Sequence, residues 1–200
     1  MKRLIKLFAS LILLVASGCS GGCANSDKNV EDIVDTQQNV PEIPTWEDCG
    51  YGIGDNPCNF TLEDIDGNNF ELWNQYGNVV VLDFSTMWCG YCQVAAGTVQ
   101  QVQDLYGSQG FNYVTILIED HQGNSVSLDE AQIWADHFGI TSAPVLISDR
   151  TLLDPNGQTG WPIVGWPTFV VIDREMVIHT GIRGFSEELL ISSIEEAISQ

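Results

Sequence analysis

Two cysteines two residues apart, Cys89 and Cys92 in the segment Trp88-Cys89-Gly90-Tyr91-Cys92, are the side chains best spaced to do chemistry. That spacing lets two sulfurs reach bonding distance while a helix persists through the second of them. A cysteine in the turn between a buried strand and a helix meets unpaired backbone N–H groups and the positive end of the helix dipole, about half an elementary charge, and both favour thiolate over thiol. Cys89 holds that position. Cys92, one turn further in, is close enough to attack a mixed disulfide on Cys89. The chemistry expected is thiol–disulfide exchange.

Four other cysteines are Cys19, Cys23, Cys49 and Cys58. Cys49 and Cys58 flank a Gly/Asn/Pro-rich loop with no histidine nearby to suggest zinc, so a structural disulfide is expected. Closing a loop of that size stabilises by roughly 2–3 kcal/mol in the chain-entropy treatment.

The pair must be held by a strand and a helix, and the sequence supplies both. Val79 to Phe84 is a continuous apolar run interrupted only by Asp83, as a strand buried on both faces should be. Residues from about Gly90 to Tyr106 suit a helix with Val94, Val99, Val102 and Leu105 available for one face, and Gly107 and Gly110 as stops. Tyr113 to Ile118 reads as a second buried strand. Ser127 to Glu130 is a capping box opening a helix through about His137. A turn-rich stretch follows. Thr168 to Ile172 and Met176 to Thr180 read as an antiparallel pair, and a last helix runs from Ser186 to about Ile198. Upstream, Phe60 to Leu62 and Phe70 to Leu72 flank Asp66-Gly67-Asn68-Asn69, a hairpin signal. The hairpin outweighs a calcium loop there, because Leu62 falls where the first ligand would stand. Strands alternating with helices, then a hairpin and a helix, describe an α/β sheet with helices on both faces.

Four features in register make the region from about residue 59 onward similar to the thioredoxin superfamily, and to its membrane-anchored TlpA-like branch. They are Trp88-Cys89-x-x-Cys92 after a hydrophobic strand, Asp83 six residues before Cys89, Gly165-Trp166-Pro167-Thr168-Phe169 opening a late strand, and Gly181 and Gly184 after the next strand. The resemblance implies a thioredoxin-like α/β fold, with a central mixed β-sheet flanked by helices and an added N-terminal β-hairpin. It implies Cys89 as the attacking thiolate, Cys92 as the resolving thiol and Asp83 as the group exchanging the Cys92 proton. Pro167, cis by analogy, would lie against the sulfurs. Trp166, Pro167 and Thr168 would receive an extended substrate segment, and Trp88 would shield the pair. No cofactor and no metal is called for. Thioredoxin itself usually has Gly-Pro between its cysteines. Gly90-Tyr91 occurs instead in periplasmic disulfide isomerases of the superfamily, and the intervening residues tune the potential. A reductant or general oxidoreductase is favoured over an oxidase or isomerase, because the isomerases carry a separate dimerisation domain for which this chain has no room.

Two rival chemistries use the same residues. Met87-x-Cys89-x-x-Cys92 matches a Cu(I)-chaperone pattern of soft ligands, but the Trp88 context and the late Pro-Thr strand fit thioredoxin better. Thr86-x-x-Cys89 resembles peroxiredoxins, but Leu82 stands where those enzymes need proline. His121, His137 and His179 have no metal-ligand spacing to one another.

The N-terminus has Lys2, Arg3 and Lys6 followed by an apolar run from Leu4 to Val15, too short to span a bilayer and consistent with a signal peptide over 1–18. Ala16-Ser17-Gly18-Cys19 resembles a bacterial lipoprotein cleavage site, so Cys19 is the expected lipidation residue, with Cys23 either free or the lipid site itself. Residues 19–45 read as a flexible acidic tether and 46–200 as the thioredoxin-like domain. The chain is then expected in the cell envelope, on the periplasmic side, held to a membrane by lipid, where disulfides persist. Beyond the leader, four basic side chains face 27 acidic ones, a surface that repels phosphate backbones and excludes nucleic acid as a partner. The expected partners are disulfide-containing exported proteins and a membrane or soluble thiol donor of electrons.

Overall fold

The computed structural model describes residues 43–200. The expected leader, Cys19, Cys23 and nearly all of the expected tether lie outside the described residues.

In chain order the elements are β1 (Thr61–Glu63), β2 (Asn69–Glu71), β3 (Val79–Thr86), α1 (Gly90–Tyr106), β4 (Phe111–Glu119), α2 (Leu128–Phe138), β5 (Val145–Ile147), β6 (Thr168–Ile172), β7 (Ile178–Arg183) and α3 (Glu187–Ile198). β1 and β2 form a small antiparallel sheet in which Leu62 faces Phe70. The other strands form one mixed sheet in the order β5-β4-β3-β6-β7. β3 is its centre, parallel to β4 and antiparallel to β6, and all eight of its residues are buried. A strand paired on both edges and covered on both faces has no wet side, which is why it reads as an apolar run.

β5 was not anticipated. Three residues, Val145-Leu146-Ile147, give too little pattern to stand out beside Pro144, and the strand forms because β4 offers it an open edge. β7 starts at Ile178, two residues later than the pattern suggests. The Asp173 carboxylate accepts the N–H groups of Glu175 and Val177, and Met176 takes a left-handed φ of 58°, so the turn consumes those residues. Gly181 consequently lies inside β7. Both expected serine caps are present: Ser127 with Glu130 as a reciprocal capping box on α2, and Ser186 on α3.

Layering departs from the expectation of helices on both faces. The buried sides of α1, α2 and α3 all join one core with the odd-numbered residues of β3 and β4, among them Val79, Val81, Tyr113 and Leu117. The β3-α1-β4 and β4-α2-β5 crossovers step across the sheet in the same direction, so the right-handed rule sends both helices to the same side. The even-numbered face, with Val80, Leu82, Phe84, Val114 and Ile116, is covered by the hairpin residue Phe70 and by Leu72, Trp161 and Ile163, with Trp46, Tyr51 and Trp73 packed on the outside. Cys49 and Cys58 are joined as a disulfide that closes the loop beside this aromatic cover.

α1 buries Cys92, Ala95, Ala96, Val99, Val102, Gln103 and Tyr106. These recur at three- and four-residue steps along one stripe. Val94 and Leu105, expected on that stripe, are exposed, because small alanines take the closest approach to the sheet.

Candidate active site

The cysteine segment is tied to the sheet and to the helix that follows it. β3 ends at Thr86, and Cys89 follows three residues later as the extended N-cap of α1. The Met87 N–H donates to the Glu119 carbonyl at 2.9 Å, and the Cys89 N–H to the Thr86 carbonyl at 3.3 Å. From within the helix, Gln93 Nε2 donates to the Met87 carbonyl at 2.8 Å. The loop is therefore fixed to β4 on one side and to its own helix on the other.

The two sulfurs are free thiols in unequal settings. Cys89 is 8% exposed and Cys92 is fully buried. The Cys92 backbone N–H donates to Cys89 Sγ at 3.3 Å, so a donor is aimed at the outer sulfur. Burial pushes the Cys92 thiol well above its ordinary range, and its link to Cys89 and the nearby Asp83 charge push the same way. Cys92 thus needs a base before it can act as a nucleophile.

Asp83 is the one ionisable residue on β3, and it is 1% exposed. Its side chain lies on the α1 face, in the same core as Cys92, because Val79, Val81 and Asp83 alternate onto that side. Ser85 Oγ donates to Asp83 Oδ1 at 2.6 Å. Burial raises the Asp83 carboxyl to about 7, against the pull of the Ser85 hydroxyl and of the Tyr113 hydroxyl beside it. A carboxylate poised there exchanges protons readily near neutral pH.

Two further groups were not legible in the sequence. The register of β3 on β4 slips after Ser85, so that two residues of β4, Ile118 and Glu119, oppose the single step to Thr86. This bulge sits next to the cysteine loop, where bulges often re-aim side chains. Glu119 accepts the indole N–H of Trp88 at 2.9 Å and pairs with Arg150. Burial works to raise the Glu119 carboxyl, but the hydrogen bonds from Arg150 and Trp88 outweigh it and hold the group below its ordinary value. Trp88 itself is 47% exposed, with its ring held at the head of α1. The signal for Glu119 was an acid closing an apolar strand; its partners stand 31 residues away on either side, beyond the reach of any local pattern.

The proline loop is brought to the same end of the sheet. β6 pairs Thr168 with Phe84, one turn of strand before the cysteine loop. The Trp166–Pro167 bond is cis. Thr168 Oγ1 donates to the Gly165 carbonyl at 2.8 Å, and the Gly184 N–H to the Pro167 carbonyl at 2.8 Å. Among the described residues, neither backbone group of Trp166 engages another backbone group, so an extended segment could pair there. Trp166 also packs on the core that contains Cys89 and Cys92. The three histidines are dispersed: His121 and His137 are exposed and line a cavity with Met87 and Trp134, while His179 lies on β7 beside Glu196.

Comparison with known proteins bears on the fold and on the class of chemistry. The model of the AhpC/TSA family matches residues 53–180, a span that holds both thiols, Asp83 and the proline loop. The thiol-disulfide oxidoreductase ResA of Halalkalibacterium halodurans is 27% identical over 145 residues, covering 71% of this chain and 75% of its own. The ResA of Bacillus subtilis is 27% identical over 142 residues, covering 69% and 71%. Among solved structures, a Chlorobium tepidum protein named as a candidate thiol:disulfide interchange protein DsbE superposes with a TM-score of 0.58 at 27% identity, covering 74% of this chain and 98% of its own. The fold is thioredoxin-like, with the two-stranded sheet as its N-terminal addition.

Proposed function

The chain belongs to the AhpC/TSA family, and on that premise we propose that it is an extracytoplasmic thiol–disulfide oxidoreductase working through Cys89 and Cys92. The observation that carries this reading is the asymmetry of the pair. One sulfur keeps a narrow opening to solvent, at 8% exposed, with a backbone donor aimed at it, and the other is sealed inside next to a carboxyl held near neutrality. Cys89 attacks a substrate disulfide, and the bond between the two substrate sulfurs breaks as a mixed disulfide forms. Cys92 then gives its proton to Asp83 and attacks Cys89 Sγ. The mixed bond breaks, the electron pair leaves with the substrate sulfur, and the protein holds a Cys89–Cys92 disulfide. A thiol donor of electrons returns it to the dithiol.

Substrates would be disulfide-bearing exported proteins, cytochrome c maturation among the candidate settings, with the strand-like segment lying along Trp166-Pro167-Thr168 and under Trp88. A lipid on Cys19 would hold the domain to the membrane through the acidic tether. Oxidase or isomerase activity is the second reading, and Tyr91 in the spacer is what favours it. Measuring the reduction potential of the pair, together with turnover of a disulfide-bonded protein, tests the choice. A low potential with reductive turnover supports the reductase. A high potential with net disulfide formation or shuffling supports the second reading. No exchange in either direction removes both.

A further inference from the structure

Tyr113 is the third residue of β4, opposite Val81 of β3, and is fully buried. Its hydroxyl has no completed hydrogen bond. Phenylalanine would fill the same space, whereas a buried polar group left without a partner is destabilising. The hydroxyl lies on the sheet face that also carries Asp83 and Cys92. Around Asp83, β3 offers Ser85, whose hydroxyl already donates to one carboxylate oxygen, Oδ1. β4 offers Tyr113 and Thr115, the latter being the register partner of Asp83. α1 offers Cys92 and, at its mouth, Cys89. β6 presents Phe169, and α3 presents Leu190 and Ile194 to this core. No lysine, arginine or histidine is buried among the described residues. No buried side-chain cation is therefore at hand to meet a negative charge on Asp83, and the side-chain donors around it are hydroxyls and thiols.

We propose that the Tyr113 hydroxyl is the second donor to the Asp83 carboxylate and holds it ready to take the Cys92 proton, which makes Tyr113 a positioning residue of the resolving step. This rests on the oxidoreductase reading above and names a residue that reading does not include. The proton moves from Cys92 Sγ to an Asp83 oxygen, and the Tyr113 proton stays on its own oxygen, shared with the carboxylate before transfer and released from it after. The effect has a fixed direction. A donor stabilises the ionised carboxylate, so its loss favours the protonated acid. The upward pull that burial exerts on Asp83 is opposed by Tyr113 in the way this requires.

The test compares the reduced full chain with Tyr113→Phe, following the Asp83 13Cγ signal by NMR as pH is varied. The midpoint should rise in the variant by about one pH unit, leaving about tenfold less ionised Asp83 below it. Resolution of a mixed disulfide on Cys89 should slow by a similar factor at pH 6 and match the wild type at pH 9. An unmoved midpoint, or superimposable pH–rate profiles, overturns the proposal. Should the variant fail to fold, the wild-type Tyr113 13Cζ signal decides alone: it must move with the Asp83 midpoint, and a flat signal overturns the proposal. The titration is independent of turnover, so a wild-type protein that exchanges no disulfides would sink the functional reading and leave the Tyr113–Asp83 result standing.

Discussion

Trp88 donates its indole N–H to Glu119, so the end of β4 fixes the ring that stands over the first turn of α1. Arg150, from the segment that follows β5, holds Glu119 from the other side. Glu119→Ala should release the ring. The expected result is a fall of about three- to tenfold in kcat/KM for a protein disulfide, with less than a twofold change in the rate of Cys89 with a small disulfide reagent, because the ring positions substrate and leaves the sulfur itself alone. Equal losses on both substrates would show that Glu119 acts on Cys89 directly.

Cys89→Ser should abolish turnover, and Cys92→Ser should accumulate mixed disulfides with substrate proteins, visible as reducible high-mass species on a non-reducing gel. On the proposed mechanism the outer sulfur, 8% exposed, starts the reaction and the fully buried one ends it. Comparable residual activity in the two variants would contradict that order. Rapid peroxide consumption surviving in Cys92→Ser would point instead to a peroxidase.

Asp83 titrates at about 7 in the fold and near 3.8 when unfolded. The folded state therefore binds the extra proton between these values, and stability is lost as pH rises from about 4 to about 7 and then levels off. Asp83→Asn removes that penalty while keeping an oxygen for the Ser85 hydroxyl. Reduced Asp83→Asn should be more stable than the reduced wild type at pH 8 by on the order of 3–4 kcal/mol, and nearly equal to it at pH 4. The same variant should lose the neutral-pH limb of the resolving rate. Chemical denaturation at the two pH values reads the first effect, and stopped-flow mixing the second. A gap in stability that does not depend on pH would remove Asp83 as a titrating group.

Replacing Cys49 and Cys58 by alanine opens a loop across nine residues of sequence separation. The cost should be roughly 2–3 kcal/mol of stability, with thiol exchange at Cys89 unchanged. A change in exchange rate would mean that this bridge takes part in electron transfer.

What could be read in advance follows the range of the forces involved. The cysteine pair, Asp83 and the serine caps are local: a strand, a turn and a helix mouth within ten residues. β3 declared itself by being apolar on both faces. The buried side of α1 did not, because Val94 and Leu105 are as apolar as Val99, and only the approach of Ala95 and Ala96 to the sheet decides which stripe turns inward. β5 exists because a neighbouring edge accepts it. The placement of all three helices on one face follows from strand order, which no single segment encodes. Glu119 and Tyr113 acquire their surroundings through the register of β4 on β3, and that pairing joins residues about 30 apart.

The complete burial of Cys92 has a consequence for anything that meets this protein in solution. To an alkylating reagent or a small oxidant the folded, reduced domain over residues 46–200 is a molecule with a single handle, and it should take up one label quickly where the same domain, unfolded with Cys49–Cys58 intact, takes two. Two partners cannot be captured at once, so every adduct that forms keeps its own exit within reach.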